Sequence, residues 1–69
     1  MPLAFAEMGV EFVIQRIGGK QETRKHLENM GFVAGTAVTV ISKVNGNLIV
    51  KVKECRVALS EELAQKIVI

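Results

Sequence analysis

Arg24-Lys25-His26-Leu27-Glu28-Asn29-Met30-Gly31-Phe32-Val33-Ala34-Gly35-Thr36 is the stretch in which this chain changes from one kind of structure to another. Leu27 and Met30 are three apart and share one face of a helix, and Gly31 follows at the place where a helix most readily leaves through a left-handed residue. With Gly31 as C′, Phe32 becomes C″ and Leu27 becomes C3, the two positions whose apolar contact accompanies a Schellman motif. Val33 to Thr36 then places Gly35 at the third position of a turn, where a type II geometry requires a positive φ. A strand is expected to begin directly afterwards.

Downstream, the even positions Val38, Val40 and Val44 of the Thr36 to Val44 run form an inward row. Asn45-Gly46 follows, and between two alternating runs it predicts a type I′ hairpin, whose two central residues both need positive φ. Asn47 to Lys53 alternates Leu48, Val50 and Val52 inward with Ile49, Lys51 and Lys53 outward. Glu54-Cys55-Arg56 leads into a further strand with Cys55, Val57 and Leu59 on one face. Ser60 is placed to cap a helical turn near residues 60–65 that carries Glu61 and Glu62 in its first turn. Ile67-Val68-Ile69 reads as a last strand that pairs with an existing edge.

Upstream, Val10 to Ile17 reads as one β-branched strand with Val10, Phe12 and Ile14 on one face and Val13 and Ile17 on the other. Gly18-Gly19 breaks it and opens the helix, with Gly19 or Lys20 near the N-cap and Glu22 in the first turn. Between residues 20 and 30 only Leu27 and Met30 are strongly apolar, so this helix buries one narrow stripe, with Arg24, Lys25 and Glu28 facing water. Arg24 and Glu28 are spaced as an i, i+4 pair. Met1 to Gly9 is expected to be an ordered lead-in that packs Leu3 and Met8 and ends in a turn. Five to six short strands hide their edges only by curling on themselves. The expected fold is therefore all-β, a small barrel over residues 1–69 as a single domain, with one helix inserted at about residues 20–30.

Composition narrows the function. Of 69 residues, 49% are hydrophobic, which argues against disorder; in so short a chain most Val, Ile and Leu side chains are needed for the core. Nine basic and seven acidic residues leave a net charge of +2, too small for a nucleic-acid footprint. There is no Trp or Tyr to stack bases or to line a polyproline groove, and the three Phe read as core or staple. The single Cys excludes an internal disulfide and a multi-cysteine zinc site and fits a reducing cytoplasm. No signal peptide or run of about 20 apolar residues is present, so the chain is expected not to span a membrane.

Ser60, Cys55 and His26 are nucleophile and base types without a nucleophile elbow or local pairing, and Gly18-Gly19-Lys20 lacks the span and the following Ser or Thr of a phosphate loop. The chain is read as no enzyme and as holding no cofactor. Fe²⁺ or another transition metal has ligand types in His26, Met30 and Cys55, but none stands at a paired spacing, so such a site would share ligands across a dimer. Cys55 is read first as a small core residue. Ile41 and Ile49 leave homo-oligomers open.

The order of features resembles the ferrous iron transport protein A (FeoA) family over nearly the whole chain. The resemblance is carried by Leu3, Met8-Gly9, Arg24, Leu27, Met30-Gly31-Phe32, Gly35, Val38 and Val40, and downstream by Arg56-Val57-Ala58-Leu59, Glu61-Glu62 and Ala64. Ala34 departs from the proline usual in the family, and Glu54 stands near a usual glycine. The resemblance implies an SH3-like barrel and a cytoplasmic accessory role beside a membrane ferrous iron transporter with a cytoplasmic GTPase domain (FeoB-like), on which it docks. The surface put forward for docking is Arg24, Lys25, Glu28, Met30, Phe32 and Val33. The chain also resembles the C-terminal SH3-like domain of iron-dependent repressors, and the short stand-alone sequence favours the first family.

Overall fold

The computed structural model describes residues 1–69. A 3₁₀ turn at Leu3–Phe5 is followed by β1 (Glu11–Val13), β2 (Arg16–Ile17), α1 (Gln21–Asn29), β3 (Ala37–Val44), β4 (Asn47–Val52), β5 (Cys55–Ser60), α2 (Glu61–Ala64) and β6 (Ile67–Val68). An antiparallel sheet runs in the order β1-β3-β4-β5, and β2 pairs with β6 in a second, two-stranded sheet. Between them lies one apolar core, whose largest fully buried side chains include Phe32, Leu3, Ile14, Leu27 and Leu59. The architecture is the expected small, strand-dominated barrel with one inserted helix.

The helix ends as its residue order dictates. The Phe32 N–H donates to the Leu27 carbonyl at 3.0 Å and the Gly31 N–H to the Glu28 carbonyl at 3.0 Å, the two bonds of a Schellman motif, with Gly31 at φ +103°. Leu27 and Phe32 are both wholly buried, so the polar closure and the apolar contact form together. The next turn closes when the Thr36 N–H donates to the Val33 carbonyl at 3.1 Å with Gly35 at φ +89°. Gly35 in turn donates to the Ile14 carbonyl at 2.8 Å, which ties the turn to the segment after β1.

The 10–17 run is not one strand. β1 pairs with β3 and β2 with β6, and the chain bends between them at Ile14-Gln15. The Ile14 N–H donates to Thr36 and the Gln15 N–H to Val68, so these two residues hand the chain from one sheet to the other. Closing a barrel from strands this short requires such a corner. Ile14 is buried there and Phe12 half-buried, while Val13 on the thin edge strand and Val10 just before it are exposed. β6 pairs with an existing edge as expected, and it is also fastened to the N-terminus by Ile69 N–H to Met1 carbonyl at 2.7 Å.

The β3–β4 hairpin has the expected turn, with Asn45 at φ +48° and Gly46 at φ +79°. Val38, Val40, Leu48, Val50 and Val52 point inward. Val44 does not, and is 55% exposed. The register slips between Val40 and Ser42, where Ile41 is the extra residue of a bulge, so the alternation reverses. Lys43 rather than Val44 then shares a face with Leu48, and its Nζ reaches the Ala4 carbonyl at 3.2 Å.

Other expected core positions also lie outside. Phe5 is 64% exposed, because the 3₁₀ turn inserts Leu3 and Ala4 and leaves its remaining side chain facing out, and Met8, in the turn that follows, is 54% exposed. Cys55 lies on the face of Val57 and Leu59, yet it is exposed where β5 leaves a tight turn with Lys53 at φ +56°. Ser60 caps α2 as expected, its Oγ accepting from the Leu63 N–H at 3.3 Å.

These observations give the bend a measurable weight. Phe32→Ala is expected to remove about 3–5 kcal/mol of stability. Gly31→Ala, whose new Cβ would meet the Val52 methyls only at ordinary contact distance, is expected to cost about 1–2 kcal/mol through its positive φ alone. Urea unfolding should show both as lower midpoints with an unchanged slope.

Candidate functional site

Because α1 buries only Leu27 fully, its remaining faces are free to meet something else. Gln21, Arg24, Lys25 and Glu28 recur at helical spacing along one side of it. Ile17 at the end of β2 and Ala34 in the turn after the helix stand across from them. Together these six residues line an open groove of about 430 Å³. Its floor ends are the apolar Ile17 and Ala34, and its wall carries two cations and one carboxylate.

The expected docking residues divide into three kinds. Arg24, Lys25 and Glu28 are exposed and line the groove. Met30 and Val33 are half-buried at the helix exit beside it. Phe32 presents no surface at all: its ring is wholly in the core, and it contributes by fixing where the helix stops. The i, i+4 pairing of Arg24 with Glu28 is also not formed as a hydrogen bond. Side-chain hydrogen bonds are made by Gln15, Lys43 and Ser60, and the N-terminal ammonium of Met1 donates to the Ile69 carbonyl, which leaves the groove's guanidinium and ammonium groups uncommitted.

Gln21, Ile17 and Ala34 were outside the expected set. Gln21 was legible, since it stands three and four residues before Arg24 and Lys25 on a polar helix. Ile17 was hidden by reading residues 10–17 as one strand, and Ala34 drew notice only as a replaced proline. The candidate metal-ligand types are dispersed: His26 is exposed on α1, Met30 is its half-buried C-cap, and Cys55 opens β5. No three His, Cys, Asp or Glu side chains gather as a metal-binding group. No helix is long and apolar enough to cross a membrane.

Comparison with known proteins follows the same lines as the fold. The family model described as FeoA domain matches residues 1–69. The chain belongs to the FeoA family. This is a family involved in ferrous iron transport, and a Methanocaldococcus jannaschii protein named for Fe²⁺ transport as protein A is 34% identical over 68 residues, which is 99% of this chain and 83% of that one. The crystal structure of an iron uptake regulatory protein (FeoA) superposes with a TM-score of 0.89 at 25% identity, covering 97% of this chain and 91% of the other. Stenotrophomonas maltophilia FeoA in complex with zinc, described there as a prokaryotic SH3-domain protein, has the same fold with a TM-score of 0.87 at 24% identity over 99% of this chain and 87% of that one. A manganese-dependent transcriptional repressor shares the fold too, with a TM-score of 0.88 at 18% identity, and there this FeoA chain covers 39% of the longer protein. The SH3-like barrel expected from sequence is thus the barrel this family has.

Since Arg24 and Lys25 hold nothing inside this FeoA chain, replacing both by Glu is expected to change the unfolding free energy by no more than about 0.5 kcal/mol per site. Urea melts of the double variant test this, and a larger loss would show that the two cations support the fold.

Proposed function

We propose that this protein is a cytoplasmic accessory of ferrous iron uptake that docks on the guanine-nucleotide-binding part of a membrane ferrous iron transporter and modulates it, without catalysing a reaction itself. The docking surface is the exposed side of α1 and the turns that follow it, Arg24 to Gly35. The observation that carries this reading is the combination found there: a helix with a polar outer face, uncommitted charged side chains, and an exit locked by the Leu27–Phe32 bond. A surface held this way is ready to bind without first being ordered, so little conformational entropy is lost on docking. Membership of the FeoA family supplies the transport context.

The shared barrel of the manganese-dependent repressor favours a second reading, a regulatory module of the kind found as one part of a larger metal-responsive protein. That likeness is one of fold, and the first reading accounts for more of what is particular to α1.

Titration of the ¹⁵N-labelled chain with the soluble GTP-binding region of the transporter tests the proposal. Amide shifts are expected to concentrate at Arg24 to Gly35. Shifts confined to Lys51 to Arg56, on the β4–β5 side, would overturn the placement.

A further inference from the structure

The charges of this chain are unevenly placed. Arg16, Lys20, Arg24, Lys25 and Lys66 belong to the end of the molecule built from β2, α1 and the approach to β6. Gly18 lies beside the Arg16 guanidinium and Gly19 beside the Lys66 side-chain stem, and the Gly18 N–H donates to the Lys66 carbonyl at 2.6 Å, so Arg16 and Lys66 flank the entry to α1. Only Glu22, Glu28 and Glu62 share that end, whereas Lys43, Lys51, Lys53 and Arg56 elsewhere are matched in number by Glu7, Glu11, Glu54 and Glu61. The groove itself carries Arg24 and Lys25 against the single carboxylate of Glu28, and Lys66 with Glu62 lines a neighbouring cleft beside Thr23.

We infer that the groove between α1 and the Ile17 and Ala34 side chains recognises an extended, carboxylate-bearing segment of a protein partner, with Arg24 and Lys25 as the charge-reading residues. The inference rests on the docking reading and gives that docking its chemistry. Arg24 offers a planar fork of N–H donors that matches a carboxylate in two parallel bonds, and Lys25 adds a compact charge one residue on. Gln21 both donates and accepts, which suits the alternating N–H and C=O groups of an extended backbone. Ile17 and Ala34 give an apolar side chain of the same segment a place to bury. At about 430 Å³ the groove is within the range of clefts that enclose small ligands and short segments.

Shape and Glu28 together favour a protein segment over an anionic lipid surface. A concave site presents little to a flat one, and the Glu28 carboxylate on its wall offsets part of the attraction that Arg24 and Lys25 would exert on a uniformly negative plane. A segment with spaced carboxylates and an amide or cationic group opposite Glu28 meets all three charges with complementary ones.

The test uses a blocked hexapeptide alternating glutamate with leucine, and its glutamine counterpart, titrated into the ¹⁵N-labelled full chain. Saturable shifts at Gln21, Arg24, Lys25 and Ala34 are expected with the glutamate peptide, weaker by about tenfold with the glutamine peptide and lost in Arg24→Glu/Lys25→Glu. Raising salt from 50 to 500 mM should weaken binding by a similar factor. Equal affinity for both peptides, unchanged binding by the double variant, no binding, or shifts centred on Phe5 and Met8 would each overturn the inference. So would co-sedimentation with phosphatidylglycerol vesicles in place of peptide binding. The two levels separate cleanly: if the transporter region still docks at α1 on the double variant, the carboxylate inference fails and docking stands. If the peptide binds the groove and the transporter region does not dock, the reverse holds.

Discussion

The hydrogen bond from the Phe32 N–H to the Leu27 carbonyl, closed over a contact between two wholly buried side chains, is the constraint on which the rest of the molecule depends. It ends α1 at a defined residue and sends the chain back into the core. Only because Gly31 accepts a φ of +103° does the backbone turn sharply enough for Phe32 to enter the core immediately after the helix. The Val33–Thr36 turn then delivers β3 in register, since Gly35 and Thr36 both bond to Ile14. One short segment thereby fixes the helix, the central hairpin and the corner where the N-terminal chain changes sheets.

That corner lets the N-terminal chain serve two sheets in turn, while the outer side of β5 carries no strand partner. β1 covers the first three residues of β3, and the chain then crosses to pair β2 with β6, which is fastened in its turn to the N-terminal residues. Each strand does a small share of the closure, and the cost falls on the outermost positions, where Val10, Val13, Ile41 and Val44 remain accessible. α1 stands outside this closure with a single buried anchor. Its outer side is not used in folding, and the proposed docking rests on that.

Features determined within five or six residues were legible from sequence. The helix exit at Gly31-Phe32, the type I′ turn at Asn45-Gly46 and the Ser60 cap each follow from local steric and hydrogen-bonding rules, and each formed as read. Features set by distant partners were not. The break at Ile14-Gln15 depends on where Thr36 and Val68 lie, and the bulge at Ile41 turns Val44 outward although its spacing fits the inward row. Exposure of Phe5, Met8 and Cys55 is likewise decided by what covers them, which hydropathy does not encode. The groove shows both sides: its helical wall was readable at Arg24, Lys25 and Glu28, while Ile17 and Ala34 come from segments that only the fold brings opposite.

A site whose geometry is inherited from a locked helix exit should be as rigid as the barrel that locks it. Native-state hydrogen exchange measures this directly. The amides of Gly31 and Phe32 are expected to exchange only through global unfolding, with the same apparent free energy and denaturant dependence as the amides of the central strand β4. Exchange of Gly31 and Phe32 through a local opening, with β4 still protected, would contradict the view that this bend holds both the fold and the proposed docking surface in place.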